Sequence, residues 1–163
     1  MTLIVEDGSV VSGANTYLTE AEAATLLDDY FGITATITES QLKMSAQWLE
    51  SFRNNYQGNK VSSSQSLQFP RISVYVDCVL LPSDEIPQEL KLSQALAAYE
   101  ISNGSTLQQN STGQTVTSKS IAGQISVQYS DNGLGGQTIF NQINSYLDLL
   151  LKSQLLQTRV FRV

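Results

Sequence analysis

The stretch TESQLKMSAQWLESFRNNY, residues 38–56, decides the fold class. It opens on Thr38 with Gln41 three residues later. At that spacing a hydroxyl accepts an amide proton of the first helical turn while the glutamine side chain returns to the cap amide. Leu42, Ala46, Leu49, Phe52 and Tyr56 then recur at helical period, with Met44 and Trp48 on an adjacent strip. The spacing predicts a helix over 39–56 whose apolar surface is wide enough for contacts on two sides. Trp48 is a candidate interface anchor; its place inside an amphipathic helix favours the core.

The same grammar recurs on either side. Upstream, Thr19 and Glu22 have capping-box spacing, Ala23, Leu27, Tyr30 and Phe31 share a face, and Gly32 supplies a left-handed stop. Ahead of this helix, Leu3-Ile4-Val5 is followed by turns at Asp7-Gly8 and Ser12-Gly13. Downstream, residues 58–87 are irregular: a serine-rich loop over 61–66, an extended approach at Phe69-Pro70, then Val74, Val76, Cys78 and Leu80 alternating as a half-buried strand or ribbon. Pro87 suits a first helical position, with Ser83, Asp84 and Glu85 as cap candidates, and Leu92, Ala95, Leu96 and Tyr99 carry a third helix to Ser102. Residues 102–120 are nearly all Ser, Thr, Gln, Asn and Gly, which predicts a flexible loop or an arm that orders on a partner. A hairpin turning near Ala122-Gly123 follows, with Gln124, Ile125, Val127 and Tyr129 as candidate subunit or tail contacts. Ile139, Ile143, Tyr146, Leu147 and Leu150 mark a last helix over 138–152.

The expected fold is therefore mainly α: a small four-helix domain with a projecting β-hairpin or long loop and extended terminal segments. At 163 residues one domain suffices. It divides into an extended N-terminal segment at 1–18, a helical core at 19–102, a polar loop and hairpin at 103–137, the last helix at 138–156 and a tail at 157–163.

Only 15% of residues are charged, and the net charge is −6. The charge is uneven: residues 1–90 hold 4 basic and 12 acidic groups, and residues 91–163 hold 5 and 3. That split suits a head-to-tail contact between an acidic and a mildly basic part. Phosphate-backbone binding calls for clustered Lys and Arg, and the nearest approach to a cluster is Arg159 with Arg162. Thr2-Leu3-Ile4-Val5 runs straight into Glu6 and Asp7, so no signal peptide is expected, and no apolar run approaches the roughly 20 residues of a membrane span. Synthesis in a cytoplasm and no membrane association are the corresponding expectations.

The chain offers little chemistry. Histidine is absent, which removes Ser-His-Asp and Cys-His arrangements, and the one cysteine, Cys78, sits among apolar residues where a buried, inert thiol is expected. The pairs Glu6/Asp7, Asp28/Asp29 and Asp84/Glu85 read as turn and cap residues, and Gly133-Leu134-Gly135-Gly136 lacks the lysine of a phosphate loop and reads as a hinge. No catalytic, cofactor-binding or metal-binding residues are expected; the chain is not read as an enzyme.

Four phrases remain that none of this chemistry absorbs: Glu6-Asp7-Gly8 with Ala14-Asn15-Thr16-Tyr17, the helix carrying Trp48, Phe69-Pro70-Arg71, and Leu81-Pro82-Ser83-Asp84-Glu85-Ile86-Pro87-Gln88. Together they resemble tailed-phage head-tail connector (adaptor) proteins, catalogued as DnaT-like single-stranded-DNA-binding proteins. The resemblance covers about residues 1–102, with a weaker echo beyond. Cys78 departs from it, since related sequences more often carry glycine after Val-Asp. The resemblance implies a structural virion protein of the neck, at the head-tail junction. Its subunits would form a homo-oligomeric ring of about twelve copies, bind the portal and the next tail component, and let DNA pass without sequence-specific contact. The tail residues Arg159, Val160, Phe161, Arg162 and Val163 are the candidate portal contact; the alternative is that they fold back on the last helix. The alternative function is a single-stranded-DNA-binding module, for which Tyr75, Tyr129 and Phe161 are the available aromatics.

Overall fold

Both capping boxes close in the computed structural model, which describes residues 2–107 and 140–152 and the backbone of 115–121 and 125–130. Thr19 caps helix α1 (Glu20–Phe31), accepting from the Glu22 amide while Glu22 takes the Thr19 N–H, and Gly32 ends it at φ 63°. Thr38 and Gln41 do the same for α2 (Glu39–Glu50). The Thr19 amide, its hydroxyl and the nearby Lys91 hold the Glu22 carboxyl below the usual carboxylate range, against partial burial.

The architecture is mixed rather than mainly α. Among the described residues there are four helices and three two-stranded antiparallel ribbons: β1 (Asn59–Lys60) with β2 (Arg71–Ile72), β3 (Tyr75–Val76) with β4 (Val79–Leu80), and β5 (Thr115–Ile121) with β6 (Ile125–Ser130). The remaining helices are α3 (Gln88–Ser102) and α4 (Asn141–Leu147).

Two helices are shorter than their apolar stripes suggest, for one shared reason. α2 stops at Glu50, and Ser51, Phe52 and Arg53 donate to carbonyls three residues back, a tightened turn that replaces the expected run to 56. Tyr56 leaves the helix and turns its hydroxyl back to the Leu49 carbonyl. α4 stops at Leu147, not 152, because the chain is drawn into a bridge between Tyr56 and Leu151. Gln57 N donates to Leu150 O and Lys152 N to Asn55 O. The two helix ends are thus exchanged for one antiparallel clasp, and Leu150 is still fully buried.

α3 is the central pillar. Leu90, Leu92, Ser93, Gln94, Ala95, Leu96, Ala97 and Ala98 are all buried, a wider face than its stripe predicts, and α1, α2 and α4 pack around it. Pro87 stands just before the helix, as its cap residue, and its carbonyl accepts from Leu90 and Lys91. None of Ser83, Asp84 and Glu85 makes a side-chain cap bond.

Of the two expected forms, a half-buried strand or a ribbon, the chain takes the ribbon. Val74 and Val76 are buried, but Asp77 and Cys78 form a two-residue turn at φ 51° and 65°, so β4 returns along β3. Positive φ at both central residues marks the primed hairpin turn, whose second position favours glycine. Cys78 is exposed there, contrary to the buried thiol expected: the turn aims it at water. β5 and β6 pair, with Ile121 opposite Ile125, and β5 starts at Thr115, inside the segment expected to be a loop.

Candidate functional site

Three of the four phrases meet in buried polar networks, and the fourth, Leu81–Gln88, seats the loop of the first. Glu6 has no exposed surface, and its carboxylate accepts from three backbone amides: Gly8 at 3.0 Å, Val10 at 3.0 Å and Val11 at 2.9 Å. The bonds wind residues 7–11 into a loop around the carboxylate and hold Val10 at φ 63°, a conformation costly for a β-branched residue. Glu6 N donates to Thr16 O, which lays this loop beside the Ala14–Tyr17 phrase. Gly8 closes the circle at φ 109°: a Cβ there would lie 2.0 Å from the Asp84 carbonyl oxygen, so only glycine lets the loop seat on the Leu81–Gln88 run.

Gln94 links the N-terminal segment to the pillar. Its Oε1 accepts from Tyr17 N at 3.0 Å, and its Nε2 donates to Thr16 Oγ1 at 2.8 Å and to the Leu42 carbonyl at 3.1 Å. The Tyr17 hydroxyl donates to Glu50 Oε1 at 2.8 Å and accepts from Phe69 N at 3.3 Å; the same oxygen of Glu50 accepts from Gln68 N. Burial and the Glu50 charge hold the Tyr17 phenol far above the ordinary tyrosine value, and burial does the same to Tyr56.

Arg71 completes Phe69-Pro70-Arg71, whose Phe69-Pro70 bond is cis. Its Nε donates to Gln57 O at 2.6 Å and its Nη2 to Gly58 O at 2.8 Å, and the guanidinium lies about 6 Å from the ring centres of Tyr56 and Phe69. It is spent on shape and buried. No buried side-chain nitrogen or oxygen among the described residues lacks a hydrogen-bond partner. Saturation of this kind specifies one arrangement of the buried groups.

Among the described residues, three surface features stand out. A groove of about 370 Å³ runs between α2 and the end of α3, lined by Met44, Gln47, Trp48, Ile101 and Leu107. Trp48 is mostly core, 8% exposed and edge-on to Phe52 at 5.0 Å, and contributes only a rim here. A second groove of about 480 Å³ lies between α1 and the start of α3, its lining including Leu26, Leu81, Ile86, Glu85, Glu89 and Lys91. The β3–β4 ribbon exposes Tyr75, Val79 and Leu80.

The expected contact residues Gln124, Arg159, Val160, Phe161, Arg162 and Val163 lie outside the described residues, as does the glycine run at 133–136. Ile125, Val127 and Tyr129 are in β6, opposite Ile121, Lys119 and Val116 of β5. Glu6, Glu50, Gln94 and Arg71 are the determinants that sequence reading passed over. Gln94 carried a signal, since it lies one turn from both Leu90 and Ala98 on a face otherwise apolar.

Among the described residues no three His, Cys, Asp or Glu side chains are grouped to hold a metal ion, and no helix is long and apolar enough to cross a membrane. In the comparisons with known proteins, a family model described as "Putative DnaT-like ssDNA binding protein" matches residues 1–163. No curated protein and no solved structure matches the chain.

Proposed function

The chain belongs to the DnaT-like family, and we propose that it serves there as a non-enzymatic structural subunit, a head-tail connector that assembles with copies of itself and joins a portal to a tail. One observation carries this choice over strand binding. Residues 2–107 and 140–152 hold 14 carboxylates and six cationic side chains; Glu6 and Arg71 are buried, which leaves 13 against five on the surface. A body so anionic repels phosphate, whereas strand-binding grooves are positively charged and set aromatic rings among their basic residues. The saturated interior supports a rigid building block. The motif resemblance to connector subunits supports the place of that block in a virion neck.

The second reading, a single-stranded-DNA-binding module, is favoured by the description of the family itself. It would have to draw on Lys119, Arg159 and Arg162, which are not among residues 2–107 and 140–152. Two measurements separate the readings. A mobility shift with a labelled oligonucleotide, repeated from low to physiological salt, should show no retained complex. Purified protein mixed with a portal should elute as an assembly larger than either component. Salt-sensitive strand binding at micromolar protein, without portal assembly, overturns the connector reading in favour of the second.

A further inference from the structure

We propose that Gln57 couples the clasp between residues 55–57 and 149–152 to the β3–β4 ribbon, so that the two open and close together. All four polar atoms of this residue are bonded, and they divide between the two elements. Toward the clasp, Gln57 N donates to Leu150 O at 3.0 Å, and its Nε2 donates to Leu149 O at 3.0 Å and Leu151 O at 3.3 Å. Toward the ribbon, its Oε1 accepts from Tyr75 N at 3.2 Å, and its carbonyl accepts from Arg71 Nε at 2.6 Å. The Tyr75 amide needs that acceptor. Leu81 N bonds to Val74 O, so the next pair, Tyr75 opposite Leu80, is of the non-hydrogen-bonded kind, and its amides point out of the ribbon. One carboxamide thus does the work of a peptide group in a third strand, as acceptor for β3 and donor for the clasp.

Neither element is secure by itself. β3 and β4 have two residues each, and a two-stranded hairpin alone is marginal in water. The clasp is an isolated bridge between Tyr56 and Leu151, flanked by the Gln57 bond and by Lys152 N on Asn55 O at 2.7 Å. Behind it α4 has seven residues and no side-chain cap bond, so it depends on burying Ile143 and Leu147, with Leu150 buried just beyond it. Two marginal elements that share one residue's bonds form a cooperative unit smaller than the whole domain. Linkage then runs both ways. A contact that grips the exposed Tyr75, Val79 and Leu80 of the ribbon tightens the clasp, and whatever lifts α4 loosens the ribbon.

The test is native-state hydrogen exchange on the full-length chain, with neither portal nor DNA, so its outcome is separate from the connector reading. It perturbs each element at a residue that does not bond to Gln57 and reads the other. Lys152→Pro removes the bond to Asn55 and should speed exchange of the Leu81 amide, in the ribbon, by roughly tenfold or more. Cys78→Gly relieves a left-handed residue in the ribbon turn and should slow the Gln57 and Lys152 amides about threefold. The amides of Ala95 and Leu96, inside α3, should keep their protection in both variants. Gln57→Met keeps the length and removes both polar ends of the side chain; in that background Lys152→Pro should no longer affect Leu81. A Leu81 amide indifferent to Lys152→Pro overturns the proposal, as do clasp amides indifferent to Cys78→Gly. So does a rise that Leu81 shares with Ala95 and Leu96, the mark of global loosening, or an effect on Leu81 that persists in Gln57→Met.

Discussion

Replacing Glu6 tests whether the N-terminal loop is built around one carboxylate. Glu6→Gln keeps the size and preserves Oε1, which serves Gly8 and Val10, but it turns an NH₂ toward the Val11 amide that now donates to Oε2 at 2.9 Å. The variant loses one charge-assisted bond and sets a donor against a buried donor. Such a bond is worth about 1.5–3 kcal/mol and an unsatisfied amide costs about 1–3 kcal/mol. These overlap, and the loop regains about 1 kcal/mol if Val10 escapes its positive φ, so the expected net loss is about 2 kcal/mol. Glu6→Ala strips all three amides and should cost about 3–4 kcal/mol, a large share of the roughly 5–15 kcal/mol that holds a domain folded. Urea unfolding gives the free energies, and hydrogen exchange should show the amides of Gly8, Val10 and Val11 losing protection first. A Glu6→Gln chain within about 0.5 kcal/mol of wild type, with those amides still protected, would refute the reasoning.

Cys78→Gly should stabilise the chain by about 0.5–1 kcal/mol, since relief of a left-handed residue (about 1–2 kcal/mol) outweighs the extra freedom glycine gives the unfolded chain; a lower urea midpoint would count against the turn assignment. Gly8→Ala should destabilise strongly, by about 2 kcal/mol or more, because its Cβ meets the Asp84 carbonyl and its φ is positive; an unchanged melting temperature would show that the loop does not seat on residues 81–88. Tyr17 and Tyr56 both have folded pKa values raised above the unfolded value near 10. Their contribution is complete below pH 10, and stability should fall above it by up to about 1.4 kcal/mol per pH unit for each, because only the unfolded state releases the protons. Absorbance at 295 nm should show these two phenols titrating only with unfolding, and Tyr56→Phe should lessen the alkaline slope.

The starts of α1 and α2 and the ends of α1 and α3 were legible in the sequence; the ends of α2 and α4 were not. Thr19/Glu22 and Thr38/Gln41 announce α1 and α2 because a capping box is closed by residues three apart, an interaction that needs no other part of the chain. The clasp of Tyr56 with Leu151, which cuts α2 and α4 short, joins positions 95 residues apart and has no local sign. The candidate site divides in the same way. The four phrases were visible as words; that Glu6, Tyr17, Gln94, Glu50 and Arg71 belong to buried networks was not, since each polar residue by itself reads as solvated surface. Cys78 illustrates the limit: flanking valines and leucines argued for burial, and a turn made by the return of β4 along β3 exposed it. By itself the sequence determined the elements whose interactions close within a few residues, together with an acidic charge balance that stands whatever the fold. Tertiary structure alone decided where α2 and α4 stop, which polar groups are buried, and that the anionic surface encloses an apolar groove, because each depends on contacts between residues that the chain order keeps far apart.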